Sequence, residues 1–252
     1  IDGTRLSKAS RAVFKHSDMD DLERILEESK GKFEKMLIIT DGVFSMDGDC
    51  GDLSTLSTLA KEHNAWLMVD DAHGFGVNGD GRGTCAQLKI QPNILMATFG
   101  KAIGTSGAFV AGDITTIEYL TNFCRHYIYS TALPLSVIGA TIKSIELAQQ
   151  SWRTDKLNER IDYFKQNALS HGIKLMPSNS AIQPLIVGDS DNALQMSEYL
   201  KTHGIWVSAI RPPTVAKGSA RLRITLSANH QLSDIDRLVA ALADAHDKFG
   251  VK

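Results

Sequence analysis

The sequence predicts an α/β fold: a mostly parallel sheet flanked by helices, followed by a smaller C-terminal α/β unit. Three observations lead there. Short apolar runs at residues 36–40, 66–69 and 94–97 have the length of buried strands. A helix-length amphipathic segment links the first two, and a strand–helix–strand crossover makes neighbouring strands parallel with a right-handed connection. Beyond Ser151 the alternation restarts with its own apolar pattern, so the chain is expected to divide near residue 145 into a 1–145 unit and a 146–252 unit.

Taken in order, Asp18 or Asp20 is a candidate N-cap for an acidic helix through Leu22, Ile25 and Leu26. The strand at 36–40 ends at Asp41-Gly42-Val43-Phe44-Ser45. The turn-rich stretch 46–52 then opens a helix whose apolar face carries Leu53, Leu56, Leu59 and Ala60. A strand at 108–111 and a helix over about 114–125 follow the 94–97 strand. Pro134 suits the first turn of the next helix. A long amphipathic helix uses Leu157, Ile161, Phe164 and Leu169 and stops at His171-Gly172. The rest reads as strand 182–187, helix 193–203, strands 205–208 and 222–226, and a final helix from Ser233.

Bulk properties narrow the function. A net charge of −2 disfavours nucleic acid and anionic membranes as partners, since both need a basic face. No run approaches the roughly 18 apolar residues that span a bilayer. Residues 1–5 have no signal-peptide profile, and the three cysteines lack C-x-x-C spacing. A reduced, cytoplasmic protein is expected, with neither disulfide frame nor zinc site.

The chemistry gathers between Trp66 and Gly107. One apolar run ends in Asp70-Asp71-Ala72-His73, the next in Thr98-Phe99-Gly100-Lys101. Ligands of open α/β sheets sit outside the carboxyl ends of the strands, so two acids, an imidazole, hydroxyls and a lysine meet at one sheet edge. Gly74-x-Gly76-x-x-Gly79 matches a dinucleotide fingerprint, but neither the required helix nor an acid about 20 residues on follows it. Such a loop instead lets backbone approach a ligand or a neighbouring chain closely. Asp70, Asp71 and His73 are conceivable metal ligands, yet no second His or acid cluster follows at ligand spacing, and no metal is expected. Alternation puts Asp70 and Ala72 on one face and makes Asp71 the structural acid. Lys101, with little charge beside it in sequence, is a candidate Schiff-base nucleophile. Thr98 and Ser106 can donate to a phosphate, and the set together points to pyridoxal phosphate. Arg221 and Arg223 share a strand face. Alternation alone favours a solvent-facing pair, while a bidentate guanidinium is the usual partner of a substrate carboxylate.

Four segments, Asp41-Gly42-Val43-Phe44-Ser45-Met46-Asp47-Gly48-Asp49, Val69-Asp70-Asp71-Ala72-His73-Gly74, Thr98-Phe99-Gly100-Lys101 and residues 221–228, resemble the α-oxoamine synthases. That family has the aspartate-aminotransferase-like architecture, pyridoxal-phosphate (PLP) fold type I. The resemblance implies that Lys101 holds PLP covalently and moves the α-proton, and that Asp70 pairs with the pyridine nitrogen. It implies that His73 and Ser45 contact the ring's 3-oxygen, and that Thr98 contacts the phosphate. Thr131 is implied to reach the phosphate of a partner subunit in a homodimer. Arg223 is the implied carboxylate anchor, with Arg211 and Thr214 near the substrate. Residues 128–132 and 209–214 bring the resemblance nearest to members that condense L-alanine with a pimeloyl thioester, carried by coenzyme A or a carrier protein, in biotin biosynthesis. The alternatives are condensation of glycine with acetyl-coenzyme A and a catalytically inactive fragment or partner subunit. Because the family pattern begins well upstream, this chain is expected to lack the N-terminal third, which carries phosphate contacts and a histidine stacked on the ring. Poor retention of the cofactor is then expected.

Overall fold

In the computed structural model, residues 2–249 are described. The first unit runs α1 (Asp2–Leu6), α2 (Met19–Ser29), β1 (Leu37–Asp41), α3 (Leu53–Glu62), β2 (Trp66–Asp70), α4 (Thr84–Gln87), β3 (Ile94–Thr98), β4 (Ala108–Gly112), α5 (Ile114–Phe123), α6 (Arg125–Ile128) and α7 (Leu135–Ala148). Its sheet has the order β1-β2-β3-β4, with β1, β2 and β3 parallel and β4 antiparallel at the edge. The mostly parallel sheet anticipated from the apolar runs is therefore present.

Local chemistry explains the boundaries. The Asp18 carboxylate accepts the Asp21 N–H and caps α2, and Asp52 does the same for α3 through Thr55. Along β1 and β2 the inward residues Ile38, Leu67 and Val69 are buried against Leu22 and Leu26 of α2 and Leu53, Leu56 and Leu59 of α3. Each such fully buried aliphatic side chain contributes about 1.5–3 kcal/mol of transfer free energy. The opposite face is not covered by these helices: Leu37, Ile39 and Trp66 are each more than 40% exposed. The segment expected as one helix over 114–125 breaks at Cys124, whose extended backbone separates α5 from α6. Pro134 stands at the N-cap of α7, one residue before the expected first turn.

The second unit comprises α8 (Ser151–Ser170), β5 (Ile182–Gly188), α9 (Ser190–Thr202), β6 (Ser208–Ile210), β7 (Ala220–Thr225) and α10 (Leu232–Phe249). Its antiparallel sheet has the order β5-β7-β6 and packs on Phe164, Met196, Leu200, Ile235 and Leu242. Two expectations are corrected here. Leu169 is 75% exposed, and Ala168 completes the buried stripe with Leu157, Ile161 and Phe164, because the 3.6-residue period reaches 168 from 164. The strand expected at 205–208 begins only at Ser208. The Ile205 N–H is still turned back onto the Leu200 carbonyl of α9 (3.0 Å), and Val207 is buried in the core rather than paired.

The two units are stitched at the loop after β1. Ser178 Oγ donates to the Gly48 carbonyl (2.9 Å), Arg223 Nε donates to the Ser45 carbonyl (2.6 Å), and the Arg221 guanidinium pairs with Asp47. Gly48 has φ +70°, and a Cβ there would strike the Ile182 carbonyl, so glycine is required at this crossing.

Candidate active site

Parallel pairing brings the polar strand ends into one row. Asp41 is in register with Asp70, and Asp70 with Met96, two residues before Thr98. The Gly42 N–H donates to the Asp70 carbonyl (2.8 Å) and the Asp71 N–H to the Met96 carbonyl (2.7 Å), which carries the ladder up to the loops. The Asp70 carboxylate accepts the Ala72 N–H at 3.0 Å, an Asx turn that fixes its direction. Beyond β3, Lys101 sits in a tight β3–β4 connection closed by Thr105 N–H on the Phe99 carbonyl (2.9 Å). Helix α7 buttresses that connection: Thr105 and Thr141 share a hydroxyl hydrogen bond (2.7 Å), and Ser144 Oγ donates to the Ile103 carbonyl (2.5 Å).

Asp71, which alternation made the structural acid, is 1% exposed and accepts the Thr84 N–H at 2.6 Å. Its carboxylate is packed by Gly42, Gly74 and Gly83, at each of which an added Cβ would collide with it. The glycine-rich loop thus approaches the protein's own buried acid closely. A Gly83→Ala substitution combines that collision with φ +102° and is expected to cost at least about 2 kcal/mol, read by urea denaturation.

The site's charges act on one another. Burial lowers the Lys101 amine below the usual lysine range, with Arg223 assisting and Asp70 and Asp41 opposing. The lysine is nevertheless exposed, with two carboxylates and a guanidinium in electrostatic reach, which corrects the expectation of a site with little charge nearby. His73 is pushed down to about 4, first by burial and then by Lys101 and Arg223, so it is neutral at pH 7. Burial also lowers Arg223. The Thr98 hydroxyl is buried and has no hydrogen-bond partner among the described residues.

The His73 shift has a definite sign. Its folded-state pKa lies below the unfolded value of 6.5, so the unfolded chain binds more protons between pH 6.5 and about 4. Stability is therefore expected to fall on acidification through that window, by at most about 3 kcal/mol. His73→Gln should flatten this part of a urea-midpoint against pH curve.

Asp70, His73, Lys101 and Arg223 are thus brought together, and Ser45 joins them through its carbonyl on Arg223. The arginine pair is not solvent-facing: Arg221 is 7% exposed and bound to Asp47, and Arg223 is half-buried. Arg211 and Thr214 lie in the β6–β7 loop beyond Ile210, which pairs with Arg221, and both are exposed. Thr131 is exposed between α6 and α7 and makes no hydrogen bond to this group among the described residues. His16, Asp47 and Asp49 bring ligand atoms within 4.8 Å, but Asp47 is bound to Arg221 and His16 to Asp49. Asp41 was given no role in the sequence, where it was visible only as the end of a strand and the head of a family-like segment.

A family model described as aminotransferase class I and II matches residues 1–242. The chain belongs to the class I and II aminotransferase family. Within that family it is 47% identical over 256 residues to the 8-amino-7-oxononanoate synthase of Hydrogenovibrio crunogenus, covering 99% of this chain and 64% of the relative. A serine palmitoyltransferase from S. paucimobilis with a bound PLP–myriocin aldimine superposes with a TM-score of 0.91 at 28% identity, over all of this chain and 64% of that one. The crystal structure of 8-amino-7-oxononanoate synthase from Francisella tularensis gives a TM-score of 0.84 at 29% identity, over 98% of this chain and 72% of that one. The chain spans a little under two thirds of the length of the first of these. An aminotransferase-family fold of PLP type I agrees with the architecture described above.

Proposed function

We propose that this chain carries the cofactor and amino-acid end of an 8-amino-7-oxononanoate synthase, which condenses L-alanine with a pimeloyl thioester and releases CO2 and free thiol in biotin biosynthesis. The observation that carries the reading is that Asp70, His73 and Lys101 at the strand ends of the first sheet and Arg223 of β7 lie within electrostatic reach of one another. The donor set fits pyridoxal phosphate. A buried hydroxyl without a partner at Thr98 suits a phosphate oxygen, and an oriented carboxylate at Asp70 suits a ring N–H. The 47% identical relative bears the same enzyme's name.

When bound, pyridoxal phosphate supplies an electron sink for charge that develops on the amino acid's α-carbon. The residues of the chain do the rest. Asp70 would accept the ring N–H and stabilise its positive charge, while neutral His73 and the Ser45 hydroxyl would hydrogen-bond the 3-oxygen. Lys101 would hold the cofactor covalently, and its amine would take the α-proton, a task that a lowered pKa favours. Arg223 spends one N–H on Ser45 and keeps the others for the substrate carboxylate, with Arg211 and Thr214 contacting substrate further out. Thr131 is assigned to the phosphate held by a second copy, in a homodimer. We keep the division into 1–145 and 146–252, with α7 running on to Ala148 across it. No helix of the described residues is long and apolar enough to cross a membrane, and we propose a cytoplasmic setting.

The test is intact mass after incubation with pyridoxal phosphate and borohydride, followed by product formation. One pyridoxyl adduct per chain, mapped to Lys101, is expected, with turnover of alanine plus pimeloyl thioester exceeding that of glycine plus acetyl thioester. Because this chain is expected to retain the cofactor poorly, pyridoxal phosphate is supplied in large excess; absence of the adduct even then overturns the cofactor reading, and preference for the glycine pair overturns the substrate reading.

A further inference from the structure

Asp41 and Asp70 stand in direct register on adjacent parallel strands. Register partners send their side chains to the same side of a sheet. Here that side also carries Leu37, Ile39, Trp66 and Met68, the face that α2 and α3 leave bare. The two carboxyl groups are not equivalent. Asp70 accepts the Ala72 N–H, whereas the half-buried Asp41 carboxylate accepts no hydrogen bond and makes no ion pair among the described residues. A donor stabilises an anion, and a like charge on the neighbouring strand destabilises one, so when both groups are ionised the pair brings one more negative charge to this edge than Asp70 alone, set against the positive charges of Lys101 and Arg223. Burial and Asp70 together move Asp41 above the usual carboxyl range.

We propose that Asp41 acts through Asp70, as the second anion of a carboxylate pair whose added charge is matched by a protonated ring nitrogen. Asp41 is thus a positioning residue for the cofactor's charge state, and its role rests on the pyridoxal-phosphate reading above. A pyridine nitrogen beside one carboxylate gains proton affinity, and beside a coupled pair it gains more, which keeps the ring cationic at neutral pH. Among the described residues, the groups facing Asp41 are Asp70 from β2, Lys101 from the β3–β4 connection and His16 from the segment before α2. His73 and Arg223 complete the surroundings, acting on Asp70 and Lys101.

Two measurements test this. The first uses the chain with no cofactor added, labelled with 13C at the aspartate carboxyls and titrated by NMR. Asp70→Asn keeps the acceptor for the Ala72 N–H and removes only the charge, and it should lower the Asp41 titration by about one pH unit. An Asp41 titration unmoved by Asp70→Asn overturns the pair.

The second measurement compares binding of pyridoxal phosphate with binding of its carbocyclic analogue, in which carbon replaces the ring nitrogen. Asp41→Asn should weaken pyridoxal phosphate about tenfold and leave the analogue within about twofold. Equal weakening of both ligands makes Asp41 a structural residue and overturns the role. Should the unmodified chain bind neither ligand, the cofactor reading fails and this role with it. The free-chain titration would still report the coupling, so the two failures are told apart.

Discussion

Replacing Lys101 with Ala is expected to abolish the borohydride-trapped pyridoxyl adduct and to lower condensation by about a thousandfold or more. The proposed function gives that amine two separate jobs, covalent retention of the cofactor and transfer of the α-proton, and among the described residues no other lysine takes part in the charge cluster at the strand ends. The substitution should be nearly silent in stability, because Lys101 is exposed and its connection is held from elsewhere. Thr141 and Ser144 of α7 grip residues 105 and 103, and the backbone closure runs through Phe99. An unchanged urea midpoint with the adduct gone is the expected combination. An adduct that survives in Lys101→Ala would move the nucleophile to a different lysine and remove the basis of the mechanism.

Replacing Arg223 with Ala should raise the KM for the amino acid by about 10- to 100-fold, the worth of hydrogen bonds to a charged carboxylate. Because Arg223 also donates to the Ser45 carbonyl, the variant leaves that part-buried acceptor without its donor and some stability should be lost as well. Arg223→Lys separates the two effects. A lysine restores a positive charge but cannot make the paired planar contact, so charge alone should recover little of the affinity. Measured KM values for alanine that stay equal across all three chains would rule out Arg223 as the anchor.

What could be read from the amino acids alone depended on how local the cause was. The strands at β1, β2 and β3 were legible because each apolar run is bounded by residues with turn or capping chemistry, and of the two candidate caps Asp18 and Asp20 it is Asp18 that caps α2. Asp71 was legible as a structural acid from alternation alone. The arginines were not. Alternation establishes that Arg221 and Arg223 share a face but is silent on which face meets a partner, and the partners Asp47 and Ser45 lie more than 170 positions away. The strand expected at 205–208 failed because an apolar Ile205-Trp206-Val207 run can end a helix and plug a core as readily as it can pair. Asp41 escaped for a related reason, since cross-strand register is invisible in one linear stretch. Lys101 was expected to lack charged company, yet its neighbours come from β1, β2 and β7.

The loop after β1 has a mechanical consequence. Asp47 and the Ser45 and Gly48 carbonyls tie one short span to β7 and to Ser178 ahead of β5, while the strand before that span bears Asp41. The distance between the end that bears Arg223 and the end that bears Asp41 is thereby set like the jaws of a fixed-gap gauge, and it varies only if several bonds yield together. Heating should therefore melt both sheets in one cooperative transition.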